Sequence, residues 1–207
     1  MLVAEQDVRV PLRSPVATNP WTLAWLSLVL AGPLFALVLA DDAAVPDVLV
    51  LLVVFAGFVT AECVNLQFEI RRQTFYCSAS EAVFVLALAE VSGLWVAVAR
   101  ALAVALVLTV QGLPRAKVVY NVAIATIEVR VAVAVLRVLP AGDITEPATW
   151  VSYLLAIAAA NVAGGLLVVG AITATHGNPG RSVWTAVFAS IVLIGPVAVL
   201  AGLAILL

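Results

Sequence analysis

The sequence predicts an all-α fold: a polytopic bundle of membrane helices with about seven transmembrane segments, the third of them short. Three observations predict it. The 207 residues are 65% apolar and only 11% charged, where soluble domains run about 45–50% and about 25%, and the mean hydropathy is +1.20. Six windows reach the roughly 20 apolar residues that a helix needs to cross a bilayer core. The charged loop residues then sort cleanly to two sides.

Residues 1–20 form a polar, Pro-containing cytoplasmic leader, and residues 21–207 form the membrane domain. The first segment is Trp21–Ala40. Val38-Leu39-Ala40 ahead of Asp41 resembles a signal-peptide cleavage site. Its apolar run exceeds the 7–15 residues of a signal core, however, and the leader carries Glu5 and Asp7, so the segment is expected to be retained. Val48–Glu69 is the second segment, and Ser80–Val91 is the short third. Twelve helical residues cover only about 18 Å, so this piece is strongly tilted or re-entrant. Gly93–Gly112, Val118–Leu139, Trp150–Ile172 and Trp184–Leu207 follow. Trp21, Trp150 and Trp184 open their helices as interfacial anchors. Ala97, Ala101 and Ala105 form a small-residue ladder suited to close helix packing.

Counting the short third segment as a crossing puts Arg9, Arg13, Arg71, Arg72, Arg115, Lys117 and Arg181 on one side. Asp41, Asp42, Asp47, Asp143 and Glu146 fall on the other. The positive-inside rule then places the N-terminus in the cytoplasm of a multi-pass plasma-membrane protein. Seven crossings leave the C-terminus outside. The run Leu203-Ala204-Ile205-Leu206-Leu207, without a polar anchor, leaves two expectations open, a short extracytoplasmic end or a piece of a longer chain.

A net charge of −2 leaves no basic surplus for nucleic acid, and two cysteines with one histidine offer neither a disulfide framework nor a metal site. Cys63 lies in a helix and Cys77 at the cytoplasmic side, so no disulfide is expected between them. His176 beside Gly177-Asn178-Pro179-Gly180 reads as a loop residue. No phosphate loop, dinucleotide fingerprint or nucleophile triad can be assembled. The chain by itself is not expected to be an enzyme, and no cofactor is expected.

The informative residues are charges within apolar segments: Glu62, Arg100, Glu128 and Arg130. Each costs about 2.5–3.5 kcal/mol at the bilayer centre even on a lenient scale, so such groups usually face protein or water and pair. Counted along helices from the cytoplasmic end, all four lie at about 10–18 Å, near the middle of the core. Arg100 with Glu128 is a sterically reasonable pair. Lys117, Asn121 and Glu128 share one stripe of the fifth segment, while Arg130 and Arg137 lie on another face. Glu62 and Glu69, seven apart, give the second segment an acidic stripe, and Asn161 adds a polar group to the sixth. Such a belt could bind a polar ligand, carry protons or hold helices together as buried ion pairs, with Arg137 snorkelling to the interface. Glu69, Arg71 and Arg72 mark the cytoplasmic boundary. Ser78-Ala79-Ser80-Glu81 has the spacing of a capping box.

Phe68-Glu69-Ile70-Arg71-Arg72-Gln73-Thr74, followed by Ser78-Ala79-Ser80-Glu81, then Ala99-Arg100, Lys117-x-x-Tyr120-Asn121 and Glu128, forms an ordered set. This set resembles the N-terminal integral-membrane sensor region of actinobacterial diguanylate cyclases and cyclic-di-GMP phosphodiesterases. The likeness covers Glu62 to Glu128, with weaker hydropathy agreement beyond. It departs at Glu90-Val91-Ser92-Gly93, where a Pro-containing turn is common, and at Tyr76-Cys77-Ser78, where the family is richer in aromatics. The resemblance implies one further transmembrane helix and cytoplasmic output domains on the same longer chain.

The resulting expectation is a sensory input module whose ligand-binding or coupling residues are drawn from Glu62, Glu69, Arg71, Arg72, Ser80, Glu81, Arg100, Lys117, Asn121 and Glu128. Expected partners are the lipid bilayer, a small ligand, a second copy of the chain and the output domain. The alternatives are a small transporter or substrate-binding transporter subunit, and a purely structural bundle. Against transport, no pair of corresponding broken helices occurs in the two halves.

Overall fold

The computed structural model describes residues 45–63, 65–70, 73–78, 80–139, 142, 146–176 and 184. The described elements are α1 (Val48–Cys63), β1 (Asn65–Ile70), β2 (Gln73–Ser78), α2 (Ser80–Glu90), α3 (Gly93–Val110), α4 (Arg115–Val138) and α5 (Pro147–His176). The expected third to sixth segments are all helices, with ends moved by a few residues. The expected first segment, Trp21–Ala40, lies outside the described residues, as does nearly all of the seventh. Among the described residues, three helical stretches are long and apolar enough to cross a membrane: Gly93–Val110, Arg115–Val138 and Ala148–Ala174.

The second segment differs from expectation. The helix stops at Cys63, and the chain turns into an antiparallel hairpin that pairs Asn65 with Ser78, Phe68 with Phe75 and Ile70 with Gln73. The reason lies in periodicity. From Asn65 to Ile70 polar and apolar residues alternate strictly (Asn, Leu, Gln, Phe, Glu, Ile), which suits a strand and would scatter apolar groups around a helix. Thr74, Phe75 and Tyr76 then supply residues that favour strands. Ile70 pairs with Gln73, so the two strands lie two residues apart in the chain. Glu62 and Glu69 therefore do not share a helical stripe, because Glu69 stands in β1 opposite Thr74.

Ser78 is the last residue of β2, paired with Asn65, and α2 begins at Ser80. The Glu81 carboxylate accepts from its own amide.

At the end of α3 the signal is sharper. Gly112 adopts a φ of 75°, its amide donates to the Thr109 carbonyl at 3.0 Å, and the Leu113 amide donates to the Leu108 carbonyl at 3.1 Å. This is the Schellman arrangement, which needs a residue that accepts a left-handed conformation, and Pro114 next in line prevents the helix from resuming. Pro147 opens α5, where a missing amide hydrogen costs nothing.

Helix α4 packs between α3 and α5, while α1 packs on α3 and α2. The core gathers Phe58 of α1, Phe84 and Val85 of α2, Val96 of α3, Val129 of α4 and Ile157 of α5, all essentially inaccessible. Close approach is secured by small residues, among them Ala99, Ala103, Ala132, Ala156 and Ala160. The buried stripe of α3 is Val96, Ala99, Arg100, Ala103 and Val107. The alanine ladder contributes Ala97 to the interior, whereas Ala101 and Ala105 are half-buried at its edge. Leu102, Leu106, Val110, Val151, Leu155 and Leu166 point outward, which gives the bundle an apolar exterior.

Candidate functional site

Arg100 lies on the core-facing stripe of α3 and is 8% exposed. Its position follows from the helix period: Val96, Ala103 and Val107 sit four behind, three ahead and seven ahead, and they carry the guanidinium inward with them. A cation so placed needs partners. Arg100 Nη2 donates to Glu128 Oε2 of α4 at 2.6 Å, with side-chain exposures of 10% and 14%. The short charge-assisted bond offsets part of the cost of taking both ions out of water. The Arg100 plane also lies over the Phe84 ring of α2, 4.6 Å from guanidinium carbon to ring centroid, within the range of a cation–π contact.

Helix α5 completes the seat of Glu128. Gly164 is buried, and a Cβ there would collide with Glu128 Oε1 and stand 2.9 Å from Cδ. The bare glycine surface lets the carboxylate lie directly against α5. Tyr120 Oη donates to the Leu167 carbonyl at 2.6 Å and ties the same two helices together.

Two further carboxylates enter the field of Arg100: Glu62 at the end of α1 and Glu81 in the first turn of α2. Glu81 also senses Glu128 and Glu62. Four elements therefore place three carboxylates within electrostatic range of one guanidinium, and a fifth contributes the glycine seat. Their donors and acceptors are unequally satisfied. Arg100 Nε and Nη1 and Glu81 Oε2 are buried without a hydrogen-bond partner. Among the described residues no group of three or more His, Cys, Asp or Glu could hold a metal ion.

Of the expected site residues, Arg100 and Glu128 meet, and Glu62 and Glu81 lie within electrostatic range of Arg100. Ser80, 4% exposed, is buried next to Glu81 in the chain. Lys117 and Asn121 do not join the cluster: both are exposed near the start of α4, where Asn121 Nδ2 donates to the Lys117 carbonyl at 2.7 Å. Glu69 belongs to the hairpin, and Arg71 and Arg72 lie outside the described residues. Phe84 and Gly164 were not foreseen. Phe84 stands three residues beyond Glu81, one helical turn along the same face, so an aromatic at that spacing was the available signal. A second feature is a cavity of about 430 Å³ between α1 and α2, lined by Leu49, Val53, Gly57, Val83, Leu86 and Glu90 among others, mostly apolar and apart from the cluster.

Comparison with protein-family models, curated proteins and solved structures finds no match to the chain.

Proposed function

We propose that this chain is a multi-pass membrane input module that detects a small ligand or membrane signal at the Arg100 cluster. In this reading the cluster biases the arrangement of the helices around it. The observation that carries the reading is the buried Arg100 guanidinium, which bonds Glu128 of α4, lies over Phe84 of α2 and acts electrostatically on Glu62 of α1 and Glu81 of α2. Any ligand that binds better to one arrangement of these groups shifts the balance between arrangements. The ordered motif set from Glu62 to Glu128 supports coupling to cytoplasmic output that makes or degrades cyclic di-GMP on a longer chain, with the N-terminus in the cytoplasm.

The test is made on the protein as its native locus encodes it. Arg100→Lys and Glu62→Gln are expected to change cellular cyclic di-GMP at least threefold, with membrane insertion and protein level unchanged. Unaltered cyclic di-GMP in both variants would refute the sensor reading.

Transport is the second reading. It is favoured by the break between α1 and α2, where two helices too short to span a core of about 30 Å meet the cluster through non-helical backbone. Uptake of substrate by the reconstituted protein, with output unaffected by the variants, would select it.

A further inference from the structure

We infer that the Arg100 cluster is a binding site for a small zwitterion, a molecule that carries an oxyanion and an ammonium a few bonds apart. This rests on the sensor reading only for its purpose, because the binding chemistry stands on the cluster itself.

The guanidinium is held in place before any ligand arrives. Glu128 fixes Nη2 and Phe84 fixes the plane, which leaves Nε and Nη1 as the unsatisfied donors of a side chain more than nine-tenths buried. Glu128 is spent on Arg100 on one side and packed against Gly164 on the other. Glu81 Oε2 is the unsatisfied acceptor. A ligand that satisfies the cluster must therefore accept from Arg100 and donate to Glu81.

The unsatisfied groups narrow the class. A simple anion would satisfy Arg100 but leave Glu81 Oε2 without a donor. A simple cation would suit Glu81 and Glu62 but leave the two Arg100 N–H groups unpaired, a costly state in a buried site. A metal ion lacks a converging donor set among the described residues. A zwitterion answers both ends at once, with its oxyanion on Nε or Nη1 and its ammonium toward Glu81 and Glu62. The same chemistry is offered by free amino acids and by a phosphoethanolamine lipid headgroup.

The purified chain in nanodiscs of phosphatidylcholine separates these sources. Glycine, β-alanine, γ-aminobutyrate and O-phosphoethanolamine are added singly, with acetate and methylammonium as half-ligand controls. The expected result is that at least one zwitterion raises the melting midpoint by about 3–6 °C at ten times its Kd, while neither control does. Glu81→Gln weakens that binding at least tenfold, and Arg100→Lys, which keeps the charge but loses the fork, does the same. Stabilisation by nanodiscs containing phosphatidylethanolamine, without response to the free probes, assigns the site to the headgroup. Equal shifts by zwitterions and controls, no shift from either source, or binding untouched by both variants would overturn the proposal. Binding that persists while cellular cyclic di-GMP ignores Arg100→Lys and Glu62→Gln would remove the sensor reading and leave the ligand site standing.

Discussion

Arg100 and Glu128 face each other at 2.6 Å on two long helices, α3 and α4, whereas Glu62 and Glu81 sit at the hairpin ends of the two short ones, α1 and α2, and close no ion pair among the described residues. The long helices are continuous, packed side by side and long enough to cross a membrane. At about 1.5 Å per residue, α1 covers roughly 24 Å and α2 roughly 16 Å, both less than a bilayer core of about 30 Å. The long-helix region spends its charges on each other. The short-helix region brings its carboxylates close to the same cation and leaves an oxygen of Glu81 unsatisfied. Structural charge and available charge thus lie on different elements, and substitutions in the two regions should behave differently.

The largest effect is expected from breaking the paired half. Glu128→Ala leaves the Arg100 guanidinium buried with three unsatisfied nitrogens, and removal of one member of a buried ion pair costs about 3–5 kcal/mol. Thermal unfolding followed by size-exclusion in detergent should register that loss. Arg100→Met combined with Glu128→Leu should restore most of it, because exchanging both ions for apolar groups of similar size is often close to neutral. A double variant as unstable as Glu128→Ala would show that the pair is needed for more than mutual neutralisation.

Gly164→Val probes the same pair from the opposite helix. The new side chain would occupy the space where Glu128 Oε1 now lies, so either α5 moves away from α4 or the carboxylate leaves Arg100. Overpacking of this kind costs about 1–3 kcal/mol. The loss should shrink when Glu128 is already Ala, since the obstructing group is gone. A cost that is identical in both backgrounds would place the strain elsewhere on α5.

Much of this division was legible in the sequence. The long helices were, because 18 to 24 residues of apolar helix leave little room for another reading. The depth argument also brought Arg100 and Glu128 to one level, and they are the pair observed, whereas for Glu62 it counted helical rise across residues that form β1. The hairpin was missed although its signal is plain: Asn65 to Ile70 alternate residue by residue, but a hydropathy window that averages over 20 residues erases a period of two. Lys117 and Asn121 were grouped with Glu128 because they share its face, yet seven to eleven residues along a helix is about 10–17 Å, too far for one site. Gly164 could not be picked out, since what identifies it is contact with a residue of another helix, and Phe84 was marked only by its place one turn beyond Glu81. Hydropathy carries no information about which neighbour a helix meets.

The smallest effect, and the most discriminating, is expected at Glu81. Its Oε2 is buried and unpartnered, so the folded state gains little from the charge it carries. Glu81→Gln keeps nearly the same shape, preserves an oxygen that can accept from the residue's own amide, and removes the ionisable group near Arg100. Stability should therefore change by no more than about 0.5 kcal/mol, with any change a gain, because relief of the cost of burying a carboxylate opposes the loss of attraction to Arg100. Glu128→Gln, the same chemical change on α4, gives up the charge-assisted bond at 2.6 Å and should be clearly destabilising. Parallel unfolding measurements on the two variants decide the matter. Equal losses would mean that Glu81 is as structural as Glu128, and the short helices would then hold no charge in reserve for a ligand. A silent Glu81→Gln that nonetheless weakens zwitterion binding would show that the carboxylate is kept for what the cluster receives.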